Sequence, residues 1–340
     1  MKAEQTLAVR DERSSSLPIS SPSGKPPALT QVAADVWCLR DKIVNLFFVG
    51  NQSKWSLIDA GLYGSASTIK QTAEKLFGTG ARPRFIYLTH GHFDHIGAVK
   101  QLAEEWNVTV YAHERELPYL TGRESYLPPD PSVGGGLMAA SSFLYPRAPI
   151  NLGTRVTAIN GESLPEFDEW RVLHTPGHTP GHTSLFRERD RVLIAGDAFV
   201  TTKQESFIAV MTQKAEMHGP PTYFTPDWVA ARSSVEKLAA LKPEHIATGH
   251  GQSLHGREMQ TLLETLARDF NRIAVPSQGR YVPEPLKRGQ AKSALPISAK
   301  VLIGAGIVGV AALLLRSQKK NRRASGKSKK FRRPTDMRVM

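Results

Sequence analysis

The sequence predicts an α/β fold. Short strand-like runs alternate with amphipathic helical stretches between residues 31 and 275, and glycine-bounded turns close several of the strands. Size is the third observation, since 340 residues that are 40% hydrophobic can bury one large core or two smaller ones.

The domain opens on three strand-like runs at residues 35–39, 43–49 and 55–59. Residues 65–77 read as a helix because Ile69, Ala73, Leu76 and Phe77 fall on one face. Residues 84–89 (RFIYLT) read as a buried strand. Residues 96–106 follow as a helix, with Ile96, Val99, Leu102, Ala103 and Trp106 at helical spacing, and 108–111 as a short strand. Residues 117–149 break this rhythm. Six prolines, the Gly134-Gly135-Gly136 run and several aromatics mark a functional or disordered loop. Strands return at 155–159, 171–174, 183–187 and 191–195. Two helices, 226–241 and 256–272, close the domain around a short strand at 245–248.

The two ends of the chain differ in character. Residues 1–30 are rich in Ser, Pro and charge and contain no apolar stretch, so they read as a disordered leader rather than a secretory signal. The net charge of +13 is concentrated in residues 287–340, where fifteen Lys and Arg face one acid; residues 1–286 are left at −1. Residues 276–296 read as a linker and 297–315 as an apolar membrane helix. The uncharged stretch 301–315 would span about 22 Å, short of the roughly 30 Å hydrocarbon core. Starting at Ile297 with Lys300 snorkelling extends it to about 28 Å. A buried or oligomer-forming helix is the alternative, but the run has no polar face to turn toward water. Residues 316–340, with eleven Lys and Arg, read as a basic disordered tail suited to an anionic lipid surface. The expected location is cytoplasmic, with membrane association through residues 297–340. The basic flank alone argues for the opposite orientation, yet nothing N-terminal would export the domain. Nucleic acid is not an expected partner. The single cysteine, Cys38, excludes an internal disulfide and a metal site built mainly from thiolates.

The chemistry concentrates in Thr89-His90-Gly91-His92-Phe93-Asp94-His95-Ile96-Gly97, between a predicted strand and a predicted helix. Two histidines two apart can converge on one ion from a turn, while Asp94 and His95 on the next bend can reach a second. Imidazole and carboxylate are ligands that zinc favours. Four ligand-type residues in six positions at a strand end argue against a merely His-rich surface loop. Three later signals share the form: His174-Thr175-Pro176-Gly177-His178-Thr179-Pro180-Gly181-His182, then Gly196-Asp197, then Gly249-His250-Gly251. Each puts a ligand-type residue on a glycine turn at a strand end, where an α/β scaffold collects a site.

In this order and spacing the motifs resemble those of the metallo-β-lactamase superfamily, over about residues 31–272. The resemblance implies a four-layer αββα sandwich, with two sheets face to face and helices outside. It implies one metal bound by His90, His92 and His178, a second bound by Asp94, His95 and His250, and Asp197 as the bridge. Asp59, in Leu57-Ile58-Asp59-Ala60-Gly61, matches the family's early aspartate and looks like a group that orients a metal-bound histidine. Two Zn²⁺ per chain are the expected cofactors, with iron or manganese as alternatives. Position 92 is His rather than the Glu of the diiron oxygen-reducing members. Asp197 stands where one class of true β-lactamases uses Cys and another lacks a carboxylate. Both departures point to the general hydrolase branch, related to lactonases and thioesterases. No helical glutathione-binding extension follows His250, and the stretch from Asp197 to His250 is too short for the inserted domain of the nucleic-acid-cutting branch.

The expected activity is hydrolysis of a small-molecule ester, thioester or lactone by a metal-bound hydroxide, a nucleophile at neutral pH. Asp94 is the expected catalytic group, orienting the hydroxide and taking up its proton. Substrate selection falls to residues 117–149, with Tyr119, Tyr126, Phe143 and Tyr145, and to 201–224, with Phe207, Tyr223 and Phe224. Core packing is the other reading of these aromatics. Two rival functions stand beside this one: a mononuclear-iron sulfur dioxygenase on the same fold, and a membrane or nucleic-acid binding protein acting through the basic tail. His113 reads as a cap or core residue, and His174 and His182 as structural or supporting residues beside the ligand loop.

Overall fold

The computed structural model describes residues 17–18, 28–165 and 167–282. It begins with a two-residue strand, β1 (Leu17–Pro18), and then builds a seven-stranded sheet in chain order. Its strands are β2 (Leu29–Ala33), β3 (Val36–Asp41), β4 (Val44–Gly50), β5 (Trp55–Ile58), β6 (Phe85–Leu88), β7 (Thr109–His113) and β8 (Val156–Ile159). β2 to β5 form an antiparallel meander, whereas β5 to β8 run parallel. Parallel neighbours need a crossover. Helix α1 (Ala66–Phe77) supplies the first, and α2 (Phe93–Ile96) with α3 (Val99–Trp106) the second. Between β7 and β8 the chain makes a long excursion through the short helices α4 (Leu117–Leu120) and α5 (Leu137–Ala140).

The second sheet contains β9 (Trp170–His174), β10 (Thr183–Arg187) and β11 (Val192–Gly196) as antiparallel neighbours. The chain then passes through α6 (Phe207–Thr212), β12 (Glu216–Met217), which pairs with β1, and α7 (Trp228–Ala240). It returns as β13 (His245–Thr248), parallel to β11, with β14 (Leu254–His255) at the edge, and ends in α8 (Gly256–Arg268) and α9 (Phe270–Ile273).

Strand alternation assigns each residue to a layer. Phe47, Ile58, Phe85 and Tyr87 of the first sheet meet Val172, Leu185, Val192 and Ile194 of the second in a core between the sheets. Their chain neighbours Phe48, Leu57, Ile86 and Leu88 face outward onto Ile69 and Phe77 of α1 and Leu102 and Trp106 of α3. On the far side Leu173, Phe186, Leu193 and Ile246 pack on Val235 and Leu238 of α7 and Leu263 and Leu266 of α8. This is the expected αββα sandwich. Covering both faces explains why β6 is buried at every position.

Several boundaries differ from expectation. Strand β2 starts at Leu29, inside the stretch read as leader, and β1 lies earlier still. The helix expected at 96–106 is two helices broken at Gly97. A Cβ there would meet Tyr63 N at 2.1 Å, and the Gly97 N–H donates to Gly61 O at 2.7 Å. The helix expected at 256–272 is likewise divided at Asp269. Residues 117–149 are folded rather than disordered: Val133, Met138 and Ala139 form a small core with Val210, Tyr223 and Phe224. Packing also continues past Val275. Gln278 donates to Ser132 O at 2.8 Å, Arg280 N to the Asp130 carboxylate and Tyr281 Oη to Pro128 O at 2.7 Å. Among the described residues no helix is long and apolar enough to cross a membrane. The apolar run 297–315 and the basic residues 316–340 lie outside the described residues, as do most of residues 1–30 and of the linker. Cys38, on β3, is buried against the inter-sheet core, and that burial pushes its thiol up to about 12.

Candidate metal centre

The side chains named from sequence converge at one edge of the sandwich, where several strands end. His90 and His92 follow β6, Asp94 and His95 ride the first turn of α2, His178 lies between β9 and β10, Asp197 follows β11 and His250 follows β13. All seven are buried. Two triads emerge, His90–His92–His178 and Asp94–His95–His250, with a third group, His90–His95–Asp197, that shares a histidine with each; the ligand atoms within each group lie within 4.8 Å of one another. Asp197 Oδ2 lies between the two triads, 3.5 Å from His178 Nε2, 3.6 Å from His95 Nε2 and 3.1 Å from His250 Nε2. His92 Nδ1 and His178 Nε2 are 2.9 Å apart, and His250 Nε2 is 3.5 Å from Asp94 Oδ2.

These spacings fit a metal. Ligand atoms about 2.1 Å from a tetrahedral ion lie about 3.4 Å from one another. The buried His90 Nε2, His95 Nε2 and Asp197 Oδ1 have no hydrogen-bond partner, an expensive arrangement that a shared cation resolves. The backbone makes room too: a Cβ on Gly249 would fall 2.0 Å from Asp197 Oδ1 and 2.8 Å from His95 Cε1.

Four of the five histidines are turned by a partner on the far ring nitrogen, which leaves Nε2 facing the centre. His95 Nδ1 pairs with Asp59 Oδ2 at 2.8 Å, and His250 Nδ1 with Ile43 O at 2.6 Å. His178 Nδ1 is 3.3 Å from Thr225 Oγ1, and His90 Nδ1 is 3.1 Å from Thr89 Oγ1. Thr89 donates both its N–H and its hydroxyl to Asp59, each at 2.8 Å. Asp59 thus touches His95 directly and His90 through Thr89. Its φ of +61° is unusual for a residue with a side chain, and a fully buried carboxylate held that way is typical of a built site.

Burial drives His90 and His178 well below the usual imidazole range and His92 down to about 3, so all three present lone pairs at neutral pH. His95 behaves oppositely. Burial opposes its charge, but Asp59 and Asp197 outweigh burial and hold it well above the usual range. Burial likewise opposes the Asp197 carboxylate, and His250 and His95 outweigh it. Burial opposes the charge of His250 too, and Asp197 outweighs it, so three imidazoles present lone pairs outright and two hold protons that a cation would displace. With the carboxylates they make the donor chemistry of a divalent transition metal.

The other histidines have supporting places. His113 caps the turn after β7, accepting from Arg115 N at 3.2 Å, and stacks on His174 with centroids 4.2 Å apart. His182 Nε2 accepts the Asp197 N–H at 2.9 Å, which fixes the backbone that carries the shared carboxylate. Sequence reasoning missed Thr89, Thr225 and, above all, Glu116. The fully buried Glu116 carboxylate accepts from Gly91 N, Tyr126 Oη, Thr179 Oγ1 and Gly181 N. A lone Glu within Glu114-Arg115-Glu116 carries no sequence signal for that role.

A cavity of about 60 Å³ opens beside His92 and His178, with Tyr119, Tyr126, Phe224 and Tyr281 in its wall. Phe224 stacks on His92 at 4.5 Å, and Tyr119 on Tyr126 at 3.8 Å. Of the aromatics expected to select substrate, Tyr119, Tyr126 and Phe224 line this cavity. Tyr145 and Tyr223 pack behind Phe224, Phe207 packs against the same small core, and Phe143 is 48% exposed.

Residues 39–250 match the family model described as the metallo-beta-lactamase superfamily. The chain is 46% identical over 247 residues to the Bacillus subtilis protein named probable metallo-hydrolase YflN, a match covering 72% of this chain and 94% of that one. It is 30% identical over 142 residues to the hydroxyacylglutathione hydrolase GloC of Haemophilus influenzae, covering 42% of this chain and 59% of the relative. Among solved structures, BJP-1, a subclass B3 metallo-beta-lactamase of Bradyrhizobium japonicum, is similar with a TM-score of 0.50 at 20% identity, over 73% of this chain and 94% of that one. That last likeness is one of fold alone. The family match spans the whole metal centre and the YflN match almost the whole relative, and on those grounds the chain belongs to the metallo-β-lactamase superfamily and is a metal-dependent hydrolase.

Proposed function

We propose that the chain is a dinuclear hydrolase of small esters, thioesters or lactones, with His90, His92 and His178 on one ion, Asp94, His95 and His250 on the other, and Asp197 bridging. The observation that carries this reading is the position of Asp197 Oδ2, 3.5 Å from a nitrogen of the first triad and 3.1 Å from one of the second. Two divalent ions held by these residues, zinc in this reading, would supply a nucleophile from water at neutral pH and Lewis acidity toward the substrate. The residues do the rest. Asp94 faces the centre, and burial raises its pKa, which suits a carboxylate that orients water and takes up its proton. Tyr126 and Phe224 flank His92 and wall the cleft beside it. The small cavity suits a compact acyl group, and the GloC relative, a hydrolase of an acylglutathione, supports the thioester class.

A single-ion iron dioxygenase would leave Asp94, His95 and His250 without a task, although Asp59 and the Ile43 carbonyl orient two of them. Metal analysis of the purified protein, joined to a screen over esters, thioesters, lactones and phosphodiesters, tests the reading. Two zinc ions per chain and acyl hydrolysis are expected; one iron per chain, or activity confined to phosphodiesters, would overturn it. We also propose that residues 297–340 bind membranes, on the strength of their apolar run and eleven following basic residues. A chain ending at Val282 should then no longer sediment with anionic lipid vesicles, and retained binding would refute the assignment.

A further inference from the structure

We propose that Glu116 is the positioning residue for the His90–His92–His178 half of the centre, clamping together the two loops that carry those histidines. The inference rests on the two-ion reading above. Each carboxylate oxygen serves a different loop. Oε2 accepts the N–H of Gly91, between His90 and His92, at 2.9 Å. Oε1 accepts the Thr179 hydroxyl, next to His178, at 2.7 Å and the Gly181 N–H at 2.8 Å. The loops belong to different sheets, one following β6 and the other joining β9 to β10. Their separation is set by the width of one carboxylate.

The fit is close on both sides. A Cβ on Gly181 would meet Glu116 Cγ and N at 2.8 Å, and one on Gly91 would meet Tyr126 Oη at 2.6 Å. The fourth donor, the Tyr126 hydroxyl, brings in the cleft wall, since the Tyr126 ring lies 4.5 Å from that of His92. These four partners are neutral donors, so Glu116 is held as a buried acceptor rather than as half of an ion pair. Asp59 does the corresponding work in the other half, through His95. Asp59 also reaches His90 through Thr89, so the two carboxylates overlap at that histidine, and Glu116 is distinguished by joining the two loops of the first triad.

Glutamine cannot replace Glu116. Its amide has one oxygen, and either orientation turns an NH₂ group toward donors of one loop. E116Q should therefore bind one of its two zinc ions about 10–100-fold more weakly, the usual cost of losing a partner that orients ligands. The other ion should keep its affinity. Zinc titration of the full chain against a chelator reads both ions, and thermal melting of the metal-free protein reports the fold separately. Asp59→Asn should weaken chiefly the other ion, through His95, with a smaller loss at the first through Thr89 and His90, and the double variant should weaken both. Thr179→Val, which removes one donor and leaves the carboxylate, should shift the same ion as E116Q by a smaller factor.

E116Q holding both ions at wild-type affinity, or weakening both equally, would overturn the proposal. Should E116Q fail to fold, Thr179→Val decides, and unchanged zinc affinity in that variant refutes the clamp. A wild-type chain that binds a single ion would instead break the two-ion reading. The proposal would then stand or fall on whether E116Q weakens that ion.

Discussion

The floor and the wall of the cleft are built in opposite ways. The floor takes His90, His92, His178, Asp197 and His250 from loops at strand ends and Asp94 and His95 from the first turn of α2. The wall takes Tyr119 and Tyr126 from a long excursion of short helices, Phe224 from the segment between β12 and α7, and Tyr281 from beyond the last helix. The floor tolerates no displacement, because ligand geometry is set to tenths of an ångström. The wall stands on irregular segments that can change without disturbing the sandwich. Under the proposed function reaction chemistry and selectivity would then be separated, and substitutions in the two regions should have different signatures.

The sharpest test of the floor is Asp197→Ala. It removes the oxygen nearest to both triads, so metal content should fall and the apparent pKa of the pH–rate profile should rise. Turnover should drop by more than the roughly 10–100-fold cost of losing an outer partner. Full metal content with an unchanged profile would show that Asp197 is only a turn residue. Gly249→Ala should come next, since its methyl would meet Asp197 Oδ1 at 2.0 Å. We expect weakened metal binding with helix and strand content intact; metal analysis beside circular dichroism would check it, and wild-type zinc affinity would contradict it.

The wall should answer differently. Tyr281→Ala removes a cavity-lining ring and its bond to Pro128 O while leaving every floor residue in place. Metal content and kcat should hold while KM rises several-fold, roughly 1 kcal/mol of lost uniform binding. Equal losses in kcat and kcat/KM would mean that the wall takes part in the chemistry.

The smallest effect belongs to His113, which caps the turn after β7 and stacks on His174. Burial, and next His174, hold the His113 imidazole down to about 4, whereas an unfolded histidine titrates near 6.5. Between those values the unfolded chain takes up a proton that the folded chain refuses, so stability falls as pH drops from about 6.5 toward 4. His113→Phe keeps a ring against His174 and should make that limb shallower by one proton's share in urea melts at successive pH values, the other buried histidines carrying the rest. An equally steep limb in the variant would assign the acid sensitivity elsewhere.

Most of the floor was legible in the sequence, because each ligand turn is a local word: a strand, a glycine and a His or Asp within a few residues. The layers were legible for a similar reason, since apolar runs such as RFIYLT admit little besides a buried strand. The rest depends on contacts between distant residues. Glu116 reaches Gly91 and Gly181 across 25 and 65 residues, and no local pattern marks it. Tyr281 lies in a stretch whose composition resembles a linker, and only the Pro128 carbonyl gives it a place. Gly97 looked like an interior helix residue because its reason for being glycine is the backbone at Tyr63, on another turn of the chain.

Cys38 has a practical consequence. It is the chain's one cysteine, and burial holds its thiol at about 12, so almost no thiolate forms near neutral pH. Maleimide and iodoacetamide reagents should react only slowly at Cys38, which lines a cavity of about 220 Å³ with Thr30, Arg40 and Ser253. A cysteine placed at exposed Tyr63 or Ile208 would then be the single fast-reacting handle on the described surface. Fluorophores or spin labels could be attached there without first removing a native thiol and without touching the floor or the wall.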